Sequence, residues 1–268
     1  MNEAAFFQSI RTSLFGGKLS QAQVDGIKGL LTAFDQVGDN DQDTLAYGLA
    51  TTFHETGRRM EPVREGNVKT DASARKAVAK LAQKRGPSSA VAKYSQPTGP
   101  YGHVYYGRGY PQLTWMENYA KCSKDAGVDL VKNPDAMLDP VISARVLFRG
   151  IMDGRWNGQG KGLSHYEGAD DFLDDAEAAA ARRTVNVQDK AVLIAGYHRK
   201  FYDALSRAGW SPSRESLQKP AQTAGANTPV GSPTPAQPTP KPKAGGPLAA
   251  IFRWLISMIN LIKKGRKK

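Results

Sequence analysis

Apolar residues recur at helical spacing through most of the first 210 positions. Val24, Ile27, Leu30, Leu31 and Phe34 lie three or four residues apart and predict a helix that runs to Gly38. Its start is marked in LSQAQV (19–24). Ser20 is placed to cap, Gln23 to reach back, and Leu19 and Val24 occupy the staple positions. A second helix is expected from about Asp41, with Leu45, Leu49 and Phe53 at i, i+4 and i+8 and Gly57 as its stop. Residues 71–84 predict a short basic helix with a solvated face. Residues 140–153 predict another, with Pro140 at an N-terminal position and Ile142, Val146 and Ile151 on or near one face. Residues 170–183 and 189–207 have the same texture. Two stretches break it. In GPYGHVYYGRGYPQLTW (99–115) aromatics and glycines alternate, which predicts a loop or short hairpin, and WNGQGKGLSHY (156–166) predicts a surface loop. The pattern gives a mainly α-helical domain with a small hairpin or loop lobe.

From about residue 211 the pattern stops. Residues 211–247 are rich in Pro, Thr, Ala and Gly, cannot bury a core, and predict a flexible, polyproline-like linker. Helical spacing returns at 248–268. There Arg253, Ser257, Asn260 and Lys264 form one polar stripe, with Trp254 among the apolar residues. The apolar run 248–262 spans about 22 Å as a helix, short of a bilayer core of about 30 Å. An amphipathic helix lying in a membrane interface is therefore expected, with Lys263, Lys264, Arg266, Lys267 and Lys268 drawn to anionic lipid or lipopolysaccharide. A transmembrane anchor and a protein-docking helix are the competing readings. The organisation expected is thus 1–210, a folded domain; 211–247, a linker; and 248–268, a membrane-active helix.

Charge sharpens this division. The formal net charge is +12, and residues 211–268 hold ten Lys or Arg against one acid, which leaves the rest near neutral. No basic helix face with base-reading residues accompanies that charge, so nucleic acid is not expected as a partner. The single cysteine, Cys122, excludes an intrachain disulfide and fits maturation in a reducing compartment. It has no His or Asn partner nearby in sequence and predicts an inert thiol. The first residues lack a basic segment followed by an apolar run, so no cleaved secretion signal is expected.

Candidate chemistry concentrates in FHETGRRMEPVREG (53–66), where Glu55, Glu61 and Glu65 fall within eleven positions. Glycoside hydrolysis uses two carboxyl groups flanking the scissile bond, one protonated and one ionised. Glu55, beside Phe53 at a helix end, suits an apolar setting and hence the acid. Glu65, beyond Pro62, belongs to a separate segment and is placed to face it. Glu61 reads as an exposed bystander. On these residues alone, a solvated helix end paired with Arg58, Arg59 and Arg64 competes with the catalytic reading. His54 and Glu55 open like a zinc motif, but Arg58 stands where H-E-x-x-H needs its second histidine, so no metal or other cofactor is expected.

A second motif shifts the weighting. HET (54–56), RE (64–65), GRG-x-x-QLT (107–114) and NY (118–119) together resemble the family 19 glycoside hydrolases. FFQSIRTSLFGGKLSQAQVDGI and VNVQDKAVLIAGYHRKFYDAL resemble the bacteriophage endolysins of that chitinase-like, lysozyme-like group. The resemblance spans about residues 3–208. It implies Glu55 as general acid, Glu65 as general base and Thr114 as a holder of the attacking water. It implies sugar contacts from Gln112 and Asn118, and from Asn186, which Val187 follows where many relatives have Gly. Tyr106, Trp115 and Trp156 are the aromatic candidates for stacking on sugar rings. The Glu55–Glu65 interval is shorter than in plant relatives, which implies a more open cleft. The implied reaction is inverting, with the two carboxyl groups about 6.5–9.5 Å apart to admit a water. The expected protein is a monomeric endolysin acting on peptidoglycan glycan strands. It would accumulate in the host bacterial cytoplasm and reach the periplasm and wall after holin-type release. The alternatives are a chitinase acting on chitin oligomers, and a wall-binding module that carries a membrane-lytic peptide.

Overall fold

The structure is a computed structural model and describes residues 1–156, 160–170, 172–186 and 190–212. The linker from residue 213 and the whole 248–268 helix, with Arg253, Trp254, Lys263, Lys264, Arg266, Lys267 and Lys268, lie outside the described residues. Among those described, no helix is long and apolar enough to cross a membrane.

Helices account for most of the architecture, as the periodicity predicts. α1 (Glu3–Ser13), α2 (Gln21–Val37) and α3 (Gln42–Glu55) follow one another along the chain. The capping box of α2 forms as expected: Gln23 N–H donates to Ser20 Oγ at 3.2 Å, and Ser20 N–H donates to Gln23 Oε1 at 2.9 Å. Asp41 caps α3, accepting from Thr44 N–H at 2.9 Å. The basic segment forms α4 (Asp71–Arg85), and α7 (Pro140–Asp153) has the predicted bounds, ending at the left-handed Gly154. α6 (Met116–Ala126) carries Cys122, and α9 (Ala191–Arg207) closes the described chain. The helix expected over 170–183 is shorter. α8 spans Asp175–Ala180 and tightens into a 3-10 turn at Ala181–Thr184. Its start is set by an Asp174–Glu177 capping box. α1 and the five-residue α5 (Ala90–Tyr94) carry too little pattern to have been foreseen individually.

α3 is the axis of the larger core. Every residue from Asp43 to Phe53 is buried, so the amphipathic pattern understates its enclosure by α2, α7 and α9. Gly48 admits the ring of Phe148 where a Cβ would sit 2.3 Å from Cε1. α3 also brings Asp43 Oδ1 within 2.8 Å of His198 Nε2 on α9, both inside the core. Phe6, Ile10, Ile27, Leu30, Leu49, Phe53, Leu147 and Phe201 belong to the same apolar cluster.

The smaller lobe holds the strands. The 99–115 segment turns back on itself, as the hairpin reading expects, with Trp115 N–H donating to the Tyr105 carbonyl at 3.0 Å, and it pairs with a second segment as well. Its strand β2 (Arg108–Gly109) pairs antiparallel with β1 (Val63–Arg64), Val63 opposite Gly109 and Arg64 opposite Arg108. Arg108 also bridges to Leu113. Residues 104–111 are buried, because Tyr105, Tyr119, Cys122 and Val146 form a second apolar cluster there. Ala74, Val78, Val91, Val104 and Tyr106 form a third beneath α4 and α5.

Candidate active site

The segment 53–66 becomes a pinned turn with a glutamate at each end. α3 ends at Glu55 because the chain turns left-handed at Gly57, whose N–H donates to the His54 carbonyl at 3.1 Å while Arg58 N–H donates to the Phe53 carbonyl at 2.8 Å; Thr56 Oγ1 donates to the Thr52 carbonyl at 2.7 Å. Gly57, Arg58 and Met60 then take left-handed backbone angles, φ +58°, +70° and +58°. Met60 is fully buried, and its N–H donates to Thr56 Oγ1 at 3.1 Å. Gly26 of α2 packs so closely that a Cβ would lie 1.9 Å from the Met60 carbonyl oxygen. Gln23, already part of the α2 cap, donates from Nε2 to the Arg58 carbonyl at 2.9 Å. The chain leaves this turn through Pro62 into β1, and Glu65 follows directly.

Each glutamate has its own anchor. Glu55 Oε1 accepts from Arg182 Nη2 at 2.5 Å. Arg182 lies in the Ala181–Thr184 turn with its side chain 2% exposed, while that of Glu55 is 17% exposed. The apolar setting expected for Glu55 is thus replaced by a buried guanidinium. Nothing in the spacing of AARRTVN marks Arg182 over its exposed neighbour Arg183, since the pair spans 127 residues. Asn186 lies exposed one turn on, its N–H donating to the Arg182 carbonyl at 2.9 Å.

Glu65 is held by neutral donors. Tyr94 O–H donates to Oε1 at 2.7 Å and Gly107 N–H to Oε2 at 2.8 Å, while Glu65 N–H donates to the Gly107 carbonyl at 2.7 Å. Glu61 is exposed, and Arg64 pairs with Asp135 at 2.6 Å instead of with a glutamate. The structure therefore joins the candidates in two groups: Glu55 with Arg182 and Asn186, and Glu65 with the GRG-x-x-QLT segment.

Within the second group the roles differ from expectation. Gln112, at φ +52°, spends its Nε2 donor on the Val63 and Gly109 carbonyls at 2.9 and 3.0 Å, so it ties β1 to β2. Asn118 donates from Nδ2 to the Thr114 carbonyl at 3.0 Å. Thr114 is half-buried, and its hydroxyl has no hydrogen bond among the described residues, which leaves it available to a water. Trp115, at φ +74°, is half-buried and meets Tyr94 edge to face with ring centres 5.5 Å apart. Strained non-glycine backbone of this kind collects at functional sites.

Two aromatic candidates are corrected. Tyr106 is fully buried, with its hydroxyl on Asp71 Oδ1 at 2.8 Å and its ring 3.6 Å from the Arg108 guanidinium carbon. It is a scaffold residue without a face for a sugar. Trp156 packs against α7 and does not project from a surface loop. Its Nε1–H donates to Cys122 Sγ at 3.2 Å, and Gly150 makes room for its ring. Cys122 is fully buried, and burial pushes its thiol up to about 11.

A groove of about 630 Å³ opens between α2 and the 59–69 turn, lined in part by Asp25, Arg59, Glu61, Arg64 and Tyr110. Neither Glu55 nor Glu65 lines it.

Residues 21–159 match the pattern of family 19 glycoside hydrolases, chitinase class I. That span covers over half of the chain, and the chain belongs to this family. Among curated relatives, Endochitinase 1 of Theobroma cacao is 49% identical over 53 residues, 19% of this chain and 16% of that protein. Inactive chitinase-like protein 1 of Hevea brasiliensis is 43% identical over 58 residues, 20% of this chain and 18% of that protein. The chain thus matches less than a fifth of the length of either. Chitinase C from Streptomyces griseus HUT6037 superposes with a TM-score of 0.43 at 21% identity, covering 80% of this chain and 78% of that one.

Proposed function

We propose that the protein is an inverting glycoside hydrolase acting on chitin-type β-1,4-linked N-acetylglucosamine. The observation that carries this is the pair Glu55 and Glu65, both inside the matched segment and fixed at opposite ends of one pinned turn by unlike partners. Two carboxylates in different environments are what separate acid and base roles require. Arg182 holds Oε1 of Glu55, which leaves Oε2 to carry the proton to the glycosidic oxygen. Glu65 uses one lone pair of each oxygen on Tyr94 and Gly107, so an acceptor site remains to take a proton from water. The free Thr114 hydroxyl is the second holder of that water. Cleavage of the glycosidic bond by water then gives a hemiacetal of inverted configuration.

Curated relatives are named as endochitinases, and this favours chitin over the peptidoglycan reading. Peptidoglycan shares the β-1,4-linked amino-sugar backbone. It is favoured by one sequence feature, the cationic, apolar 248–268 segment behind a Pro/Thr linker, which suits an endolysin that meets membranes. Release of products from chitin oligomers and from purified peptidoglycan by the full chain separates the two. Glu55→Gln and Glu65→Gln should each lower turnover by about 10²–10⁴-fold with the fold retained. Retained turnover in both variants would overturn the proposal. Cleavage of peptidoglycan but not chitin would replace the substrate.

A further inference from the structure

Tyr94 belongs to none of the motifs that mark the site. It is the last residue of α5, a helix that Ser89 caps by accepting from Ala92 N–H. Val91, buried in the cluster beneath α4 with Val78 and Val104, fixes that helix in place. Position therefore follows from packing some thirty residues away from Glu65 in sequence. Once there, the Tyr94 hydroxyl lies 2.7 Å from Glu65 Oε1. Burial foremost, and then the Glu65 carboxylate, push that hydroxyl far above its ordinary range, so it remains an O–H donor.

A glutamate on its own turns freely about its last torsion, which is broad and two-fold. Gly107 N–H grips one oxygen, and a single bond still permits rotation about it. The second donor, on the other oxygen, fixes the carboxylate plane. The Tyr94 ring also rests against Trp115, the residue after Thr114. One side chain thus touches both the group that accepts the water proton and the turn that presents the water-holding hydroxyl.

We infer that Tyr94 is a positioning residue for hydrolysis. It locks the Glu65 carboxylate through its hydroxyl and keeps Thr114 in register with it through Trp115. This rests on Glu65 being the base. Tyr94 does not itself touch the reacting atoms, so its loss acts on the rate and leaves glycan binding alone. Misplacing a catalytic group by about 1 Å costs on the order of 10–100-fold.

The test is Tyr94→Phe in the full chain, assayed on whichever glycan the wild type turns over. The expected result is a kcat lowered about tenfold with KM within about twofold, and a melting temperature close to wild type. In a Glu65→Asp background the same substitution should change kcat by less than about twofold, because the shortened carboxylate no longer reaches Tyr94. An unchanged kcat, a rise in KM alone, or an equal loss in both backgrounds would overturn the inference. The last outcome marks a structural role, since general loosening of α5 would not depend on the length of residue 65. A fully active Glu65→Gln would instead remove the base assignment beneath it. An inactive Glu65→Gln beside a fully active Tyr94→Phe would remove only the role of Tyr94.

Discussion

Arg108 makes five hydrogen bonds from a side chain that is 2% exposed: to Asp71, Asp135, Tyr119 Oη and the Val104 and Tyr106 carbonyls. The stretch around the GRG motif reads in sequence as a loop or short hairpin. Its arginine is instead the hub that holds the strand lobe, while its first glycine supplies the N–H for Glu65. That division was not legible, because burial is a property of the assembled lobe. Arg182 escapes a sequence reading for a related reason: nothing local distinguishes it from the adjacent Arg183, and only folding brings it to Glu55. Glu55, Glu65 and Thr114, by contrast, stand inside the motifs that carry the family resemblance, so the sequence names them as candidates. If Arg182 fixes the oxygen that does not carry the proton, Arg182→Ala should lower kcat/KM by roughly 10²-fold, the scale for losing one preorganised charge. Steady-state kinetics on chitin oligomers checks this. Activity within about twofold of wild type would show that Glu55 holds its place without the guanidinium.

Elements with local signals are legible in the sequence, and those built by distant contacts are not. The α2 capping box and the bounds of α7 follow from side chains within one turn of the ends they define. β1 and β2 have two residues each, and their partners lie 44 to 46 positions apart, so no local alternation announces the pair. Trp156 read as a loop residue because its neighbours are glycines. Its environment comes from α6 and α7, through Cys122 and Gly150. Between the strands and the helices that flank them, Asp135 joins Arg64 and Arg108. Burial works against its ionisation, but the two guanidinium groups outweigh it and hold the carboxyl below its ordinary range. A group depressed on folding stabilises above its unfolded value and loses that contribution as pH falls through the folded one. Asp135→Asn should therefore lower the melting temperature at pH 6. The gap from wild type should shrink below about pH 4 and close as the carboxyl protonates. Thermal melts across that range provide the check, and a gap independent of pH would place the effect outside this ion pair.

For the whole molecule, the helical class is legible from periodicity and the hairpin or loop lobe from the break in it at 99–115, and the family match over 21–159 agrees with the motifs. The setting of Glu55 is not, because it depends on a turn after α8 that meets the end of α3 only in the folded chain. The central claim is that the two glutamates work as acid and base in a single displacement. It is tested most directly by proton NMR of the anomeric signals during the first minutes of cleavage of a β-1,4-linked N-acetylglucosamine hexamer by the full chain. The account predicts that the α-anomer appears first and the β-anomer grows only by mutarotation. A β-anomer formed first, with net retention, would contradict it.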